Sequence, residues 1–152
     1  MKPNVHIVVQ PDDFDCGAEI NALHRDDPQA GAVASFIGLV RDLEGDPLAA
    51  MCLEHYPGMT EKALQKIADQ ACARWPLGRI TIIHRVGELQ PLDRIVFVGV
   101  SSAHREAAFA ACEFIMDYLK RDAPFWKKER SARGERWVAQ KSSDLDQAKR
   151  WD

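Results

Sequence analysis

The segment AHREAAFAACEFIMDYLK, residues 103–120, carries apolar side chains round much of a helical circumference. A helix of that kind cannot rest with one face in water and must be deeply packed. A second helical segment, PGMTEKALQKIADQACARWP, residues 57–76, is amphipathic. Leu64, Ile67, Ala68, Ala71 and Trp75 recur at helical spacing, Thr60 is placed to cap it, and Pro76 and Gly78 end it.

Most of the remaining chain reads as strands. VHIVV (5–9), GAVASFIGLVR (31–41), RITIIHRVGEL (79–89) and RIVFVGVSS (94–102) are rich in β-branched and apolar residues. LAAMCLEHY (48–56) is expected to pair back on 31–41 as a hairpin, with DLEGDP (42–47) as its turn. FWKKERS and ERWVAQK form two short strands joined through Ala132, Arg133 and Gly134. Asp12 or Asp13 is placed to cap a short helix in DDFDCGAEINALHRDD, and SDLDQAKRWD closes the sequence as a turn of helix. Hairpins mixed with crossovers predict an α+β fold, with mixed, largely antiparallel sheets and two long packed helices, in one domain spanning 1–152.

The charge balance limits the partners. Twenty Lys+Arg against 23 Asp+Glu give a net charge of -3, which argues against a general nucleic-acid binder. An anion site would therefore come from local clustering of bases. No run reaches the length of a membrane span and the first residues lack a signal-peptide core, so the cytoplasm is expected. Cys16, Cys52, Cys72 and Cys112 are scattered and read as reduced thiols, and the five histidines show no ligand spacing, so no metal site is expected.

Bases cluster at three places. His104 and Arg105 open the long helix, where a sequence ordinarily places acids. With free backbone N–H groups they make an anion pocket; alternatively, Arg105 pairs with Glu106 or Glu88. Arg41 ends an apolar strand and can equally be a solvated edge charge. The third place is DYLKRDAPFWKKER, 117–130. Lys120 ends the helix, where a cation also suits the dipole, and Lys127 and Lys128 point to opposite faces of a strand. One of the two can face inward beside Phe125; a lysine against apolar surface can serve as a base or an amine nucleophile. Glu54 and His55, adjacent in a strand, cannot form a dyad on one face, and Tyr56-Pro57-Gly58 reads as a structural turn.

The blocks LEHYPGMTEKAL, RWPLGRITIIHRVGEL, DRIVFVGVSSAHREAAF and FIMDYLKRDAPFWKKE together resemble the large, catalytic subunits of molybdopterin synthase, the MoaE family, from about Gly31 to Trp151. The resemblance implies an α/β-hammerhead fold. It implies a homodimer within a heterotetramer, each copy holding a ubiquitin-like small subunit whose C-terminal glycine carries a thiocarboxylate. Two such sulfurs pass to cyclic pyranopterin monophosphate, forming the dithiolene of molybdopterin. It further implies that Lys120 and Lys127 are catalytic and that Arg41, His104, Arg105, Lys128 and Glu129 bind substrate, the last two extending the second lysine block. No cofactor is implied, since sulfur arrives on the partner and molybdenum enters after the dithiolene exists. One position departs from the family pattern, which often reads GKVR where this chain has Gly38-Leu39-Val40-Arg41. That loss of a base is what would favour a rival reading, a non-catalytic docking module for the small subunit's tail. An RNA-binding role for the same lysines is disfavoured by the net charge.

Overall fold

The computed structural model describes residues 4–42, 48–131, 134–138 and 142–152. Among the described residues, two four-stranded sheets and four helices make an α+β arrangement. The elements are β1 (Asn4–Gln10), α1 (Cys16–Ala22), β2 (Ala32–Leu39), β3 (Leu48–His55), α2 (Met59–Arg74), β4 (Arg79–Arg85), β5 (Gly87–Leu89), β6 (Arg94–Ser102), α3 (Arg105–Asp122), β7 (Phe125–Ser131), β8 (Gly134–Val138) and α4 (Ser142–Lys149). The first sheet runs β1-β4-β6-β2 and the second β5-β3-β7-β8. Among the described residues only β1 and β4 pair in parallel, and the other pairings are antiparallel.

The first sheet is covered on both faces, and strand alternation decides what meets what. Ile80, Ile82, Val96, Val98 and Val100 turn toward α2 and α3, where they meet Leu64, Ile67, Ala108, Phe114 and Ile115. Phe97 and Ile83 turn the other way, onto Phe14 and Leu23 around α1. This explains why α3 is apolar round much of its circumference: it packs against the sheet, α2 and α4. Among the described residues no helix is long and apolar enough to cross a membrane.

Four expectations change. First, β2 and β3 do not pair: β2 lies against β6, and β3 lies in the second sheet between β5 and β7. Residues 43–47, most of the expected turn, lie outside the described residues. Secondly, the segment 79–89 is two strands in two sheets, because Gly87 takes φ 87° and turns the chain from β4 into β5. Thirdly, Thr60 does not cap α2. Gly58 occupies that position with φ 86°, and the Glu61 carboxylate accepts its N–H at 2.6 Å. Thr60 is buried instead; its hydroxyl accepts from the Tyr56 N–H and donates to the Pro124 carbonyl, both at 3.1 Å. Finally, the cap of α1 is Asp15 rather than Asp12 or Asp13. Asp13 is held by Arg94 at 2.6 and 3.0 Å, and this pairing lowers its pKa to about 2.

Candidate active site

The turn between α3 and β7 brings two lysines onto one pocket. Lys120 sits in the last turn of α3, and Ala123 leaves the helix in an extended conformation. Pro124 follows, its carbonyl fastened by Thr60, so the turn is tied to the start of α2. β7 begins at once and pairs with β3, setting Lys127 opposite Leu53 and Glu129 opposite Met51. Side chains two apart share a face. Phe125 and Lys127 therefore face one pocket of about 570 Å³, with Lys120 at the helix end and Met51, Leu53, Ile95 and Leu119 among its walls.

Glu129 is on the same face, buried, and lies 3.7 Å from the Lys127 ammonium and 3.4 Å from Arg136. It braces Lys127 from behind the pocket. Lys128 takes the opposite face. It pairs with Glu135 at 2.9 Å, which raises its pKa, and its ammonium lies over the Trp137 ring. Lys128 is thus part of the β7–β8 surface, and Lys127 is the inward member of the pair.

His84 went unnoticed in the sequence and lines the same pocket. It ends the apolar run of β4 and is buried, its ring stacked on Phe125 with centroids 3.8 Å apart. Burial, reinforced by the nearby charges of Lys120 and His55, lowers its pKa to about 4 against the opposing bond to the Arg85 carbonyl. The signal for it was present: a histidine inside RITIIHR, otherwise a core strand. A second unforeseen feature backs α3. Trp151 packs edge-on to Trp75 and Phe114, and its indole N–H donates to Asp117 at 2.7 Å. Asp152 accepts from the Tyr118 hydroxyl at 2.8 Å and from Arg121 at 3.3 Å. The residues after α4 thereby fasten the last turn of α3, the turn that carries Lys120.

The other predicted bases lie elsewhere. Arg41 is exposed just past β2 and follows Val40, which packs with Met51 and Leu53, so that strand end belongs to the pocket's side of the molecule. His104 and Arg105 are exposed at the far end of α3; His104 is its N-cap and makes no side-chain capping bond. Lys120 comes fifteen positions after Arg105 in α3, about 22 Å along the axis. Glu88, considered as a partner for Arg105, pairs with Arg130 instead. Leu39 lines a separate cavity with Ile37, Leu92 and Arg94, so the missing base there leaves the lysine pocket intact.

Comparison with known proteins is consistent across sequence and structure. The family model described as MoaE protein matches residues 9–122. A molybdopterin synthase catalytic subunit of Pseudomonas aeruginosa is 58% identical over 147 residues, 96% of this chain and 98% of that protein. The solved structure of a molybdopterin biosynthesis MoaE protein from Burkholderia ambifaria superposes with a TM-score of 0.83 at 55% identity, covering 97% of each chain. The molybdopterin synthase structure from Staphylococcus aureus gives 0.79 at 32% identity over 88% of this chain and 96% of that one.

Proposed function

Since the chain belongs to the MoaE protein family, we propose that it works as the sulfur-transferring, catalytic subunit of a molybdopterin synthase. The observation that carries the mechanism is the meeting of Lys120 and Lys127 on one apolar-walled pocket. The sulfur donor is the thiocarboxylate at the end of a small subunit's tail, and the acceptor is cyclic pyranopterin monophosphate. The donor sulfur forms a bond to a side-chain carbon of the pterin as that carbon's bond to oxygen breaks, the oxygen leaving on phosphate or as water, and the tail is left joined to the product as a thioester. Water then adds to the tail carbonyl and breaks the carbon–sulfur bond. The tail departs as a carboxylate and the sulfur stays on the pterin.

Each step places negative charge where these lysines are. Lys127, braced by Glu129, orients the thiocarboxylate and stabilises the oxyanion formed when water adds. Lys120 acts as the general base or as a transient covalent amine. The apolar walls lower the local dielectric and strengthen both contacts.

Arg105, with His104 just beyond it, is about 22 Å from Lys120 within one copy. Their part in substrate binding therefore requires a second copy of the chain, and we assign them to the pterin phosphate across a homodimer. With one small subunit per copy the assembly is two plus two. Purified protein mixed with thiocarboxylated small subunit and cyclic pyranopterin monophosphate should yield the dithiolene product. A stable complex with no product would establish the docking-only reading.

A further inference from the structure

His84 has one ring nitrogen accounted for and one that is not. Nδ1 lies 2.8 Å from the Arg85 carbonyl. A carbonyl only accepts, so Nδ1 carries the proton. The ring is neutral across the ordinary pH range because burial and the charge of Lys120 oppose a second proton. Nε2 is therefore a bare lone pair, an acceptor. Among the described residues it bonds to no protein group, yet no buried side-chain nitrogen or oxygen lacks a partner. Nε2 must then open onto the pocket that His84 lines. The stack on Phe125 fixes the ring plane and so the direction of the lone pair.

A buried acceptor on a binding pocket selects for a donor, because a ligand that leaves it unmatched loses the hydrogen bond it had with water. The lysines around it are themselves donors and suit an anion. The occupant that satisfies both is a peptide terminus. Its carboxylate or thiocarboxylate meets the lysines, and its last N–H lies only about 2.5 Å from the carboxyl carbon by standard bond geometry. Asp144, a carboxylate that also lines the pocket, is half-exposed on α4, where water competes for any donor it meets.

We propose that His84 is a tail-recognition residue, its Nε2 accepting a hydrogen bond from the final peptide N–H of the small subunit's tail while the terminal group lies between Lys120 and Lys127. This rests on the sulfur-transfer reading above and adds to it a residue that reads the peptide rather than its charge.

The test edits one atom of the ligand. Small subunits are made by protein ligation with the last peptide bond either an amide or an ester, which removes the N–H and keeps the shape. Each is titrated into the full-length protein by calorimetry. Wild type should bind the amide roughly 3–10-fold more tightly, the worth of one net hydrogen bond. His84→Phe, which keeps the stack on Phe125, should bind both alike. His84→Gln, whose amide oxygen reaches the Nε2 position, should restore discrimination, and Asp144→Asn should retain it. Equal binding of amide and ester by wild type overturns the proposal, as does discrimination that survives His84→Phe or disappears with Asp144→Asn. A small subunit lacking its tail is the control on the premise. If it competes with the tailed form for every contact and turnover survives, the sulfur-transfer reading fails and this inference with it. If only the ester comparison fails, that reading stands.

Discussion

Replacing Lys120 by alanine separates chemistry from folding, because the structure makes the two costs very different. The side chain is exposed at the end of α3, and alanine is at least as good a helix former as lysine. The favourable placement of a cation at a helix C-terminus is worth under about 1 kcal/mol at an exposed site. For a domain of this size that moves the melting temperature by no more than about 4 °C. The loss in turnover is larger. A charge-assisted hydrogen bond to the donor terminus is worth about 1.5–3 kcal/mol, or roughly 10–150-fold, and removal of a general base costs about 10²–10⁴-fold. The expected result is a fall of at least about 100-fold with an unchanged fold. Lys120→Arg then divides the roles: it keeps the charge but cannot give up its proton, so it should recover tail binding and not turnover. The assay follows dithiolene formation from thiocarboxylated small subunit, alongside thermal unfolding. Near wild-type turnover of Lys120→Ala at saturating partner would refute the reasoning. So would a melting temperature lower by more than about 10 °C, since the residue would then be structural.

Arg105→Ala should weaken pterin binding by about 1.5–3 kcal/mol while leaving small-subunit affinity unchanged, because its planar fork suits a phosphate. Mixing it with Lys120→Ala protein should recover part of the activity through hybrid dimers that keep one complete site; no recovery would place both residues in a site built from one copy. His84 sets an acid limb to stability. Its pKa is about 6.5 unfolded and about 4 folded, so the folded state binds fewer protons between those values. Its contribution is complete above pH 6.5 and is lost as pH falls toward 4, about 3 kcal/mol in all. Urea unfolding of wild type and His84→Phe at pH 7.5 and 4.5 should show that decline in wild type alone. For assembly, light scattering should find a homodimer in isolation and a two-plus-two complex with the small subunit. Deleting the last two residues of the partner's tail should abolish turnover while the globular interface holds the pair together.

Much of the site was legible because it is local in the chain. Lys120 and Lys127 are separated by a single turn, and the helix ending at one and the strand carrying the other are both evident from periodicity. The alternation of a strand even dictates that Lys127 and Lys128 part company, although not which of them turns inward. That choice belongs to β3, which presents Met51 and Leu53 to one face of β7 and Cys52 to the other. Glu129 follows Lys127 inward for the same reason, and so becomes a brace within the protein.

Strand pairing is where the sequence stopped informing. An apolar alternation states that a strand has a buried face, but it does not name the strand beside it. The turn-like composition of 42–47 therefore suggested a hairpin between two strands that belong to different sheets. His84 was hidden by the same limit, since its importance comes from Phe125, 41 positions later, and from the end of a helix between them. The two cations at the start of α3 were legible in the sequence, while their distance from Lys120 follows from the rigid rise of a helix. The sequence by itself determined the helices, the strand segments and the two lysines, because those depend on neighbours within a few residues. The tertiary structure alone decided which faces meet, because burial is settled between segments far apart in the chain, and with it which polar groups are left facing a ligand.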